Sequence, residues 1–166
     1  LSGKDLTGTI LTGADLTGAD LTDATLVDVD LSGKDLTGTI LTGADLTDAR
    51  LVGVYLSGKD LTGTILIRVD LSGKDISNTI LIDANLANAI LENTKILDAN
   101  MDGANLTNAN LRNSLLVDTN LSNAILTGAN LENAILSGAI LTGANLENAI
   151  LSGAILNCVD HPVCVS

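Results

Sequence analysis

Four lysines stand out in this sequence because they recur within one aliphatic motif. The segment LSGKDL occupies residues 1–6, 31–36 and 56–61, and LSGKDI follows at residues 71–76, which places the lysines at Lys4, Lys34, Lys59 and Lys74. A row of ammonium groups would bind an anion, and Gly53–Asp60 (GVYLSGKD) matches the glycine and lysine spacing of a phosphate-binding loop. Asp60, however, stands where that loop has Ser or Thr, and its charge would repel phosphate. We therefore do not interpret this match as a phosphate site.

The other candidates for metal or redox chemistry lie in the last ten residues. His161, the single histidine, lies between Cys158 and Cys164. These three ligands match no recognised metal-binding spacing. The cysteines either form a disulfide, which would suit an oxidising compartment such as the periplasm or the thylakoid lumen, or remain as buried free thiols. We favour the disulfide, and we predict no catalytic, cofactor-binding or metal-binding residue in this chain.

These residues belong to a chain with a strict period of five. Leucine occupies every fifth position from Leu1 to Leu156, except at Ile76, Ile96 and Met101, which gives 32 pentapeptides. We call this position the centre, i. Position i−2 is usually small, with alanine at 17 places, and position i−1 is often Asp in the first half and Asn in the second. Position i+2 is Gly, Asn or Asp in 30 of the 32 pentapeptides.

A period of five fits neither an α-helix nor a continuous strand. It fits a short extended piece followed by a corner, in which i−2 and i face inward and i−1 faces outward. The residue at i+2 then supplies the positive φ that a tight bend needs. One such unit cannot bury its leucine alone, so the units must stack as coils about 4.8 Å apart. The sequence therefore predicts an all-β solenoid, in which the four lysines at i−2 turn their amines toward water, main-chain carbonyls or a neighbouring Asp.

The segments ADLTG, ANLTN and ANLEN resemble the pentapeptide-repeat family, whose consensus is A(D/N)LXX. The resemblance covers residues 1–156. It implies a right-handed quadrilateral β-helix with four pentapeptides per coil, and hence about eight coils in a rod about 38 Å long. Residues 157–166 lie outside the repeat, and we expect them to form a short C-terminal cap over the open end of the stack.

Composition argues against several classes of function. The chain has 166 residues, 20 acidic and 8 basic, and a net charge of −12, which argues against binding to nucleic acid through the phosphates. No apolar run reaches the roughly 18–20 residues of a membrane span. Leu1 lies inside the repeat pattern, so we expect a fragment or a processed form, from which an export signal could have been removed.

Outward isoleucines at i−1 become frequent toward the C-terminal end. We interpret four of them as an apolar surface for self-association or for a protein partner: Ile135, Ile140, Ile150 and Ile155. The alternative is that neighbouring turns cover them. The function that we predict is a non-catalytic structural or protein-interaction scaffold, whose partner and compartment the sequence does not specify.

Two alternative functions fit the sequence less well: mimicry of DNA and binding to ice. Quinolone-resistance proteins of the family that the sequence resembles are acidic rods that bind DNA gyrase, a type II topoisomerase, as DNA mimics. Duplex DNA of about 38 Å carries about 22 charges, whereas this chain has a net charge of −12, and it has no Phe at its centres. Ice binding would need a regular threonine array, but the column of Thr22, Thr42 and Thr62 continues with Ile82 and Asp102.

Overall fold

Residues twenty apart in the sequence pair through their main chains. Twenty-one parallel bridges have this separation, as between Asn85 and Asn105, and one further bridge joins Ile140 to Val159. Each turn of the chain therefore contains four pentapeptides. The computed structural model describes residues 1–164, and they form the predicted right-handed, four-sided β-helix.

We number the coils along the chain, so that coil 1 is residues 1–20 and coil 8 is residues 141–160. The four faces are numbered in the order in which the chain passes them. The first face has centres 1, 21, 41 and so on; the second starts at centre 6, the third at centre 11 and the fourth at centre 16. Within residues 1–164 there is no helix, and the strand pairing consists of single residues, all of them at i−1 except the last, Val159.

A regular pentapeptide satisfies all five of its main-chain N–H groups. The centre donates to the coil above, as from Leu86 N to Asn105 O (2.7 Å). The N–H of i+2 also donates to the next coil along the chain, which we call the coil above. The N–H of i+3 donates to the carbonyl of the centre and closes the turn, and that of i+4 donates to the preceding coil, the coil below. The remaining N–H, of i+1, donates to the side chain at i−1, as from Ala87 N to Asn85 Oδ1 (3.1 Å). Asp and Asn recur at i−1 because they accept this otherwise unpaired donor.

The corners explain the residue types at i+2. From Gly3 to Gly153, this position has φ between 54° and 74° in every pentapeptide. Glycine, Asn and Asp adopt this left-handed conformation with the least strain. Arg68 is the exception, at φ 58°, and its guanidinium is paired with the carboxylate of Asp48 in the coil below.

The interior of the rod is filled by the side chains at i and i−2. Every centre from Leu16 to Leu141 is buried, and the alanines at i−2 fill the space between them. At the C-terminal end, Val163 and both cysteines pack against this core. The division into a repeat region, 1–156, and a cap, 157–166, remains a prediction, and residues 165 and 166 lie outside the described part of the chain.

Candidate functional site

The described residues contain no cluster that could serve as a metal centre. No group of three or more His, Cys, Asp and Glu side chains within residues 1–164 could hold a metal ion. His161 accepts a hydrogen bond from Val163 N at its Nδ1 atom (3.2 Å). The structure joins Cys158 to Cys164 by a disulfide, with Cα atoms 5.0 Å apart. Nowhere in residues 1–164 is there a helix with the length and hydrophobicity that a bilayer crossing requires.

Two of the lysines reach the main-chain carbonyl of an i−2 residue in the coil below. Lys34 Nζ is 2.8 Å from Ala14 O, and Lys74 Nζ is 3.3 Å from Val54 O. In a regular coil, the carbonyl of the i−2 residue accepts a hydrogen bond from the main-chain N–H of the i−1 residue in the next coil. Lysine therefore takes the place of a main-chain donor. Burial lowers the pKa of Lys74, and the nearby Asp70 carboxylate partly offsets this effect.

The pairing between coils is interrupted where these lysines lie. On the fourth face, no bridge joins the successive i−1 residues Asp15, Asp35, Tyr55 and Asp75, and pairing resumes between Asp75 and Lys95. A groove of about 590 Å³ runs between coils 2 and 3 here, with Lys34 and Lys59 among its lining residues. Lys59 Nζ also donates to a main-chain carbonyl, at 2.6 Å. Both amines are thus already bonded, and the groove does not form a cationic site.

Lys74→Ala is expected to raise the free energy of unfolding by about 1 kcal/mol, the net contribution of one restored hydrogen bond. Alanine is the usual residue at i−2, and it would let Asp75 N donate to Val54 O. Urea denaturation measures the change, and hydrogen exchange at the Asp75 amide reports the new bond. Lys95→Ala is the control, because Lys95 faces outward on the same face, and it should leave stability unchanged. A loss of stability in Lys74→Ala would contradict this account.

The four predicted surface isoleucines are divided among three faces. Ile135 and Ile155 lie one coil apart on the fourth face, and their main chains are bridged. Ile140 lies on the first face, where it pairs with Asn120, and Ile150 lies on the third. Only two of the four isoleucines therefore share a surface.

Three other apolar residues lie on the fourth face with this pair. Together these five residues are Leu97, Leu115, Val117, Ile135 and Ile155. We call them the apolar face, which runs from coil 5 to coil 8. Ile155 is 45% exposed, and the others are half-buried. Sequence reasoning missed the first three, although the sequence holds the signal: apolar residues recur twenty apart at i−1 (115, 135, 155) and at i+1 (97, 117).

The two borders of the apolar face differ in charge. The corner that follows it in the chain carries Asp98 and Asp118, which are exposed and form no ion pair with other described residues. The corner that precedes it carries neutral side chains, Asn93, Asn113 and Asn133. Beyond these asparagines, Arg112 pairs with Glu132 across two coils (3.4 Å). The surface is therefore apolar in the middle and, in coils 5 and 6, acidic along one edge.

Comparisons with known proteins agree with this architecture. The family model for pentapeptide repeats matches eight copies, which together span residues 1–160. HetL, a pentapeptide repeat protein involved in heterocyst differentiation regulation from the cyanobacterium Nostoc sp. strain PCC 7120, is 38% identical; the match covers 95% of this chain and 74% of HetL, with a TM-score of 0.61. No curated protein matches the sequence.

The fold is also similar to that of QnrB1, a plasmid-mediated fluoroquinolone resistance protein. One trypsin-treated form is 21% identical over 84% of this chain and 71% of that one, with a TM-score of 0.74. A second form is 19% identical over 98% and 91% of the two chains, with a TM-score of 0.70. At this level of identity, the likeness concerns the fold alone. With a family model that matches nearly its whole length, this chain belongs to the pentapeptide-repeat family.

Proposed function

We propose that this chain is a non-catalytic protein-interaction scaffold and that the apolar face is its contact surface. The observation that carries the proposal is the convergence of five apolar side chains on one face of a rod whose interior is already full. A closed aliphatic core offers no internal site for a small molecule. Any recognition must therefore use the outside, and a contiguous apolar patch at the surface of a protein marks an interaction site.

The similarity to HetL supports this proposal. At 38% identity over 95% of this chain, HetL has a comparable repeat region. HetL is described as involved in the regulation of differentiation. A rod that acts by contact with another protein suits a role of that kind.

Affinity capture with matched surface variants tests the proposed function. The tagged chain, Ile135→Asp and Ile125→Asp would each be incubated with extract of the organism that encodes the protein, and the retained proteins would be compared by mass spectrometry. Ile125 is 41% exposed and lies at i−1 on the second face, so it matches Ile135 in position but not in face. We expect one set of proteins to be retained by wild type and Ile125→Asp and lost by Ile135→Asp. Equal capture by all three would overturn the proposal.

A DNA mimic that binds gyrase is the alternative. It draws on the acidic net charge and on the similarity in fold to QnrB1. Against it, acidic residues at i−1 are found on all four faces, and from coil 5 onward most i−1 positions are Asn or aliphatic. A gyrase supercoiling assay decides between the two, and inhibition at low micromolar protein would favour the mimic.

The compartment is proposed from the cysteines. A Cys158–Cys164 disulfide would suit an oxidising environment, such as the periplasm or the thylakoid lumen. Fractionation of the source cells, followed by thiol labelling of the protein, tests this assignment. Recovery from the cytosol with both thiols free would contradict it.

A further inference from the structure

We propose that the apolar face binds an amphipathic α-helix of a partner protein, with leucine-like residues toward the face and Lys or Arg along one flank. This inference rests on the proposed function, because it names the chemistry of the partner that the scaffold would bind. The occupant is thus a cationic helix, rather than a second copy of this chain.

The spacing of the face suits a helix that lies along the rod. Its apolar side chains form rows at the separation of the coils, about 4.8 Å. One turn of an α-helix rises about 5.4 Å, so anchors at i, i+3 or i+4, and i+7 would meet successive rows nearly in step. Because most of these side chains are half-buried, the surface is low and even. A helix of about 14 residues, roughly 21 Å long, would cover the four coils from Leu97 to Ile155.

The acidic edge of the apolar face determines that the partner must carry positive charge. Asp98 and Asp118 lie one coil apart along one edge of the face, with no cation paired to them within residues 1–164. Asp118 points toward the next coil, where a Cβ added at Gly138 would lie 2.0 Å from its Oδ1 atom. The opposite edge is neutral. A helix with Lys or Arg along one flank would place these cations against the acidic edge and would be attracted by the whole chain.

A second copy of this chain fits the face less well. Each copy carries a net charge of −12, so association brings like charges together. Lys95 is the one basic residue at an i−1 or i+1 position on the fourth face, and it lies at the N-terminal end of the apolar residues. It could offset only one of the two edge aspartates.

A designed peptide provides the test. The probe is a fluorescein-labelled 14-residue helix of Leu and Lys, with Leu at helical spacing, and the control is a peptide of the same composition in scrambled order. Fluorescence anisotropy would be measured against the full chain. We expect the amphipathic peptide to bind and the scrambled peptide to bind about tenfold more weakly, since it cannot present its leucines on one side. Equal binding of the two peptides would reduce the effect to charge attraction and overturn the proposal.

Surface variants locate the site. Ile135→Asp or Ile155→Asp should weaken binding of the peptide about tenfold, as loss of a central apolar contact does, while Ile125→Asp should leave it unchanged. Asp98→Asn with Asp118→Asn should weaken binding about threefold at low salt and flatten its salt dependence. Asn has the required positive φ at this same corner in residue 78, so the double variant should fold. Far-UV circular dichroism of each variant verifies folding.

The outcomes separate this inference from the proposed function. If the capture experiment yields a partner that depends on Ile135 but the peptide does not bind, the proposed scaffold function is supported and the proposal of a helical partner is wrong. If sedimentation finds a dimer that Ile135→Asp dissociates, the occupant is a second copy, and the cationic helix is again wrong. Binding of the peptide that survives both Ile135→Asp and Ile155→Asp would also overturn it.

Discussion

Leu106→Ala is expected to lower the free energy of unfolding by about 3–4 kcal/mol, in the upper part of the range for buried leucines. Leu106 is fully buried, and it lies between Leu86 and Leu126 in the column of centres on the second face. Main-chain hydrogen bonds tie its coil to both neighbours and fix their spacing. The surroundings therefore cannot collapse into the space that the side chain leaves, and the cavity remains.

Guanidinium denaturation monitored by circular dichroism measures this loss. Ile125→Ala is the matched control: it also shortens an aliphatic side chain on the second face, one coil away, but at an outward position that is 41% exposed. We expect it to cost less than about 1 kcal/mol. Leu106→Asp should not fold at all, because the charge would have no partner inside the rod. A folded Leu106→Asp, or equal losses in the two alanine variants, would mean that the column of buried centres does not exist.

Acid is expected to unfold the N-terminal half of the rod before the C-terminal half. Polar contacts, first with the hydroxyl and then with the main-chain N–H of a Ser or Thr two residues later, lower the pKa of six aspartates: Asp5, Asp20, Asp30, Asp35, Asp70 and Asp75. The pKa of Asp15 is lowered in the same way, with the main-chain N–H as the larger cause. In the second half, asparagine accepts the equivalent bond, as Asn105 Oδ1 does from Thr107 N (3.0 Å), and asparagine does not titrate.

The sign of the effect follows from the lowered pKa values. Each aspartate stabilises the fold above its unfolded pKa of about 3.9, and this contribution is lost as the pH falls through the lower, folded pKa. Pepsin digestion near pH 2.5, with mass analysis of the surviving fragments, should find the first cuts within residues 1–80. A variant with Asn at the seven aspartate positions should resist longer, because it keeps the bonds without the charge. Cuts that begin in the second half, or that are spread evenly, would contradict the prediction.

The path of the chain could be predicted from the sequence, because each position of the pentapeptide has one physical task. Leucine at i fills the core, and glycine or asparagine at i+2 turns the corner. The number of sides and the handedness came instead from the family resemblance. A period of five fixes where the corners lie along the chain but not the angle at each corner, and that angle depends on how the inward side chains of four pentapeptides pack together.

The candidate site was predicted only in part. Ile135 and Ile155 are twenty residues apart, so they share a face, whereas Ile140 and Ile150 are separated from Ile135 by five and fifteen residues and turn to other faces. The lysine contacts could not be predicted, since a long flexible side chain at i−2 has several acceptors within reach. That Lys34 would bond to Ala14 O, and that the pairing between coils would be interrupted there, depends on the position of the main chain.

The uniformity of the core has a consequence for how the chain refolds. Residues 126–140 and 141–155 are identical, and nearly every centre elsewhere is leucine, so a coil displaced by five residues still buries leucine at its centres. Within residues 126–155, where position i−2 is alanine throughout, such a slip would rotate every outward group by a quarter turn without changing the buried residue types. Refolding from denaturant is therefore open to competing alignments, and the apolar face is assembled only when all of its coils settle in the same one.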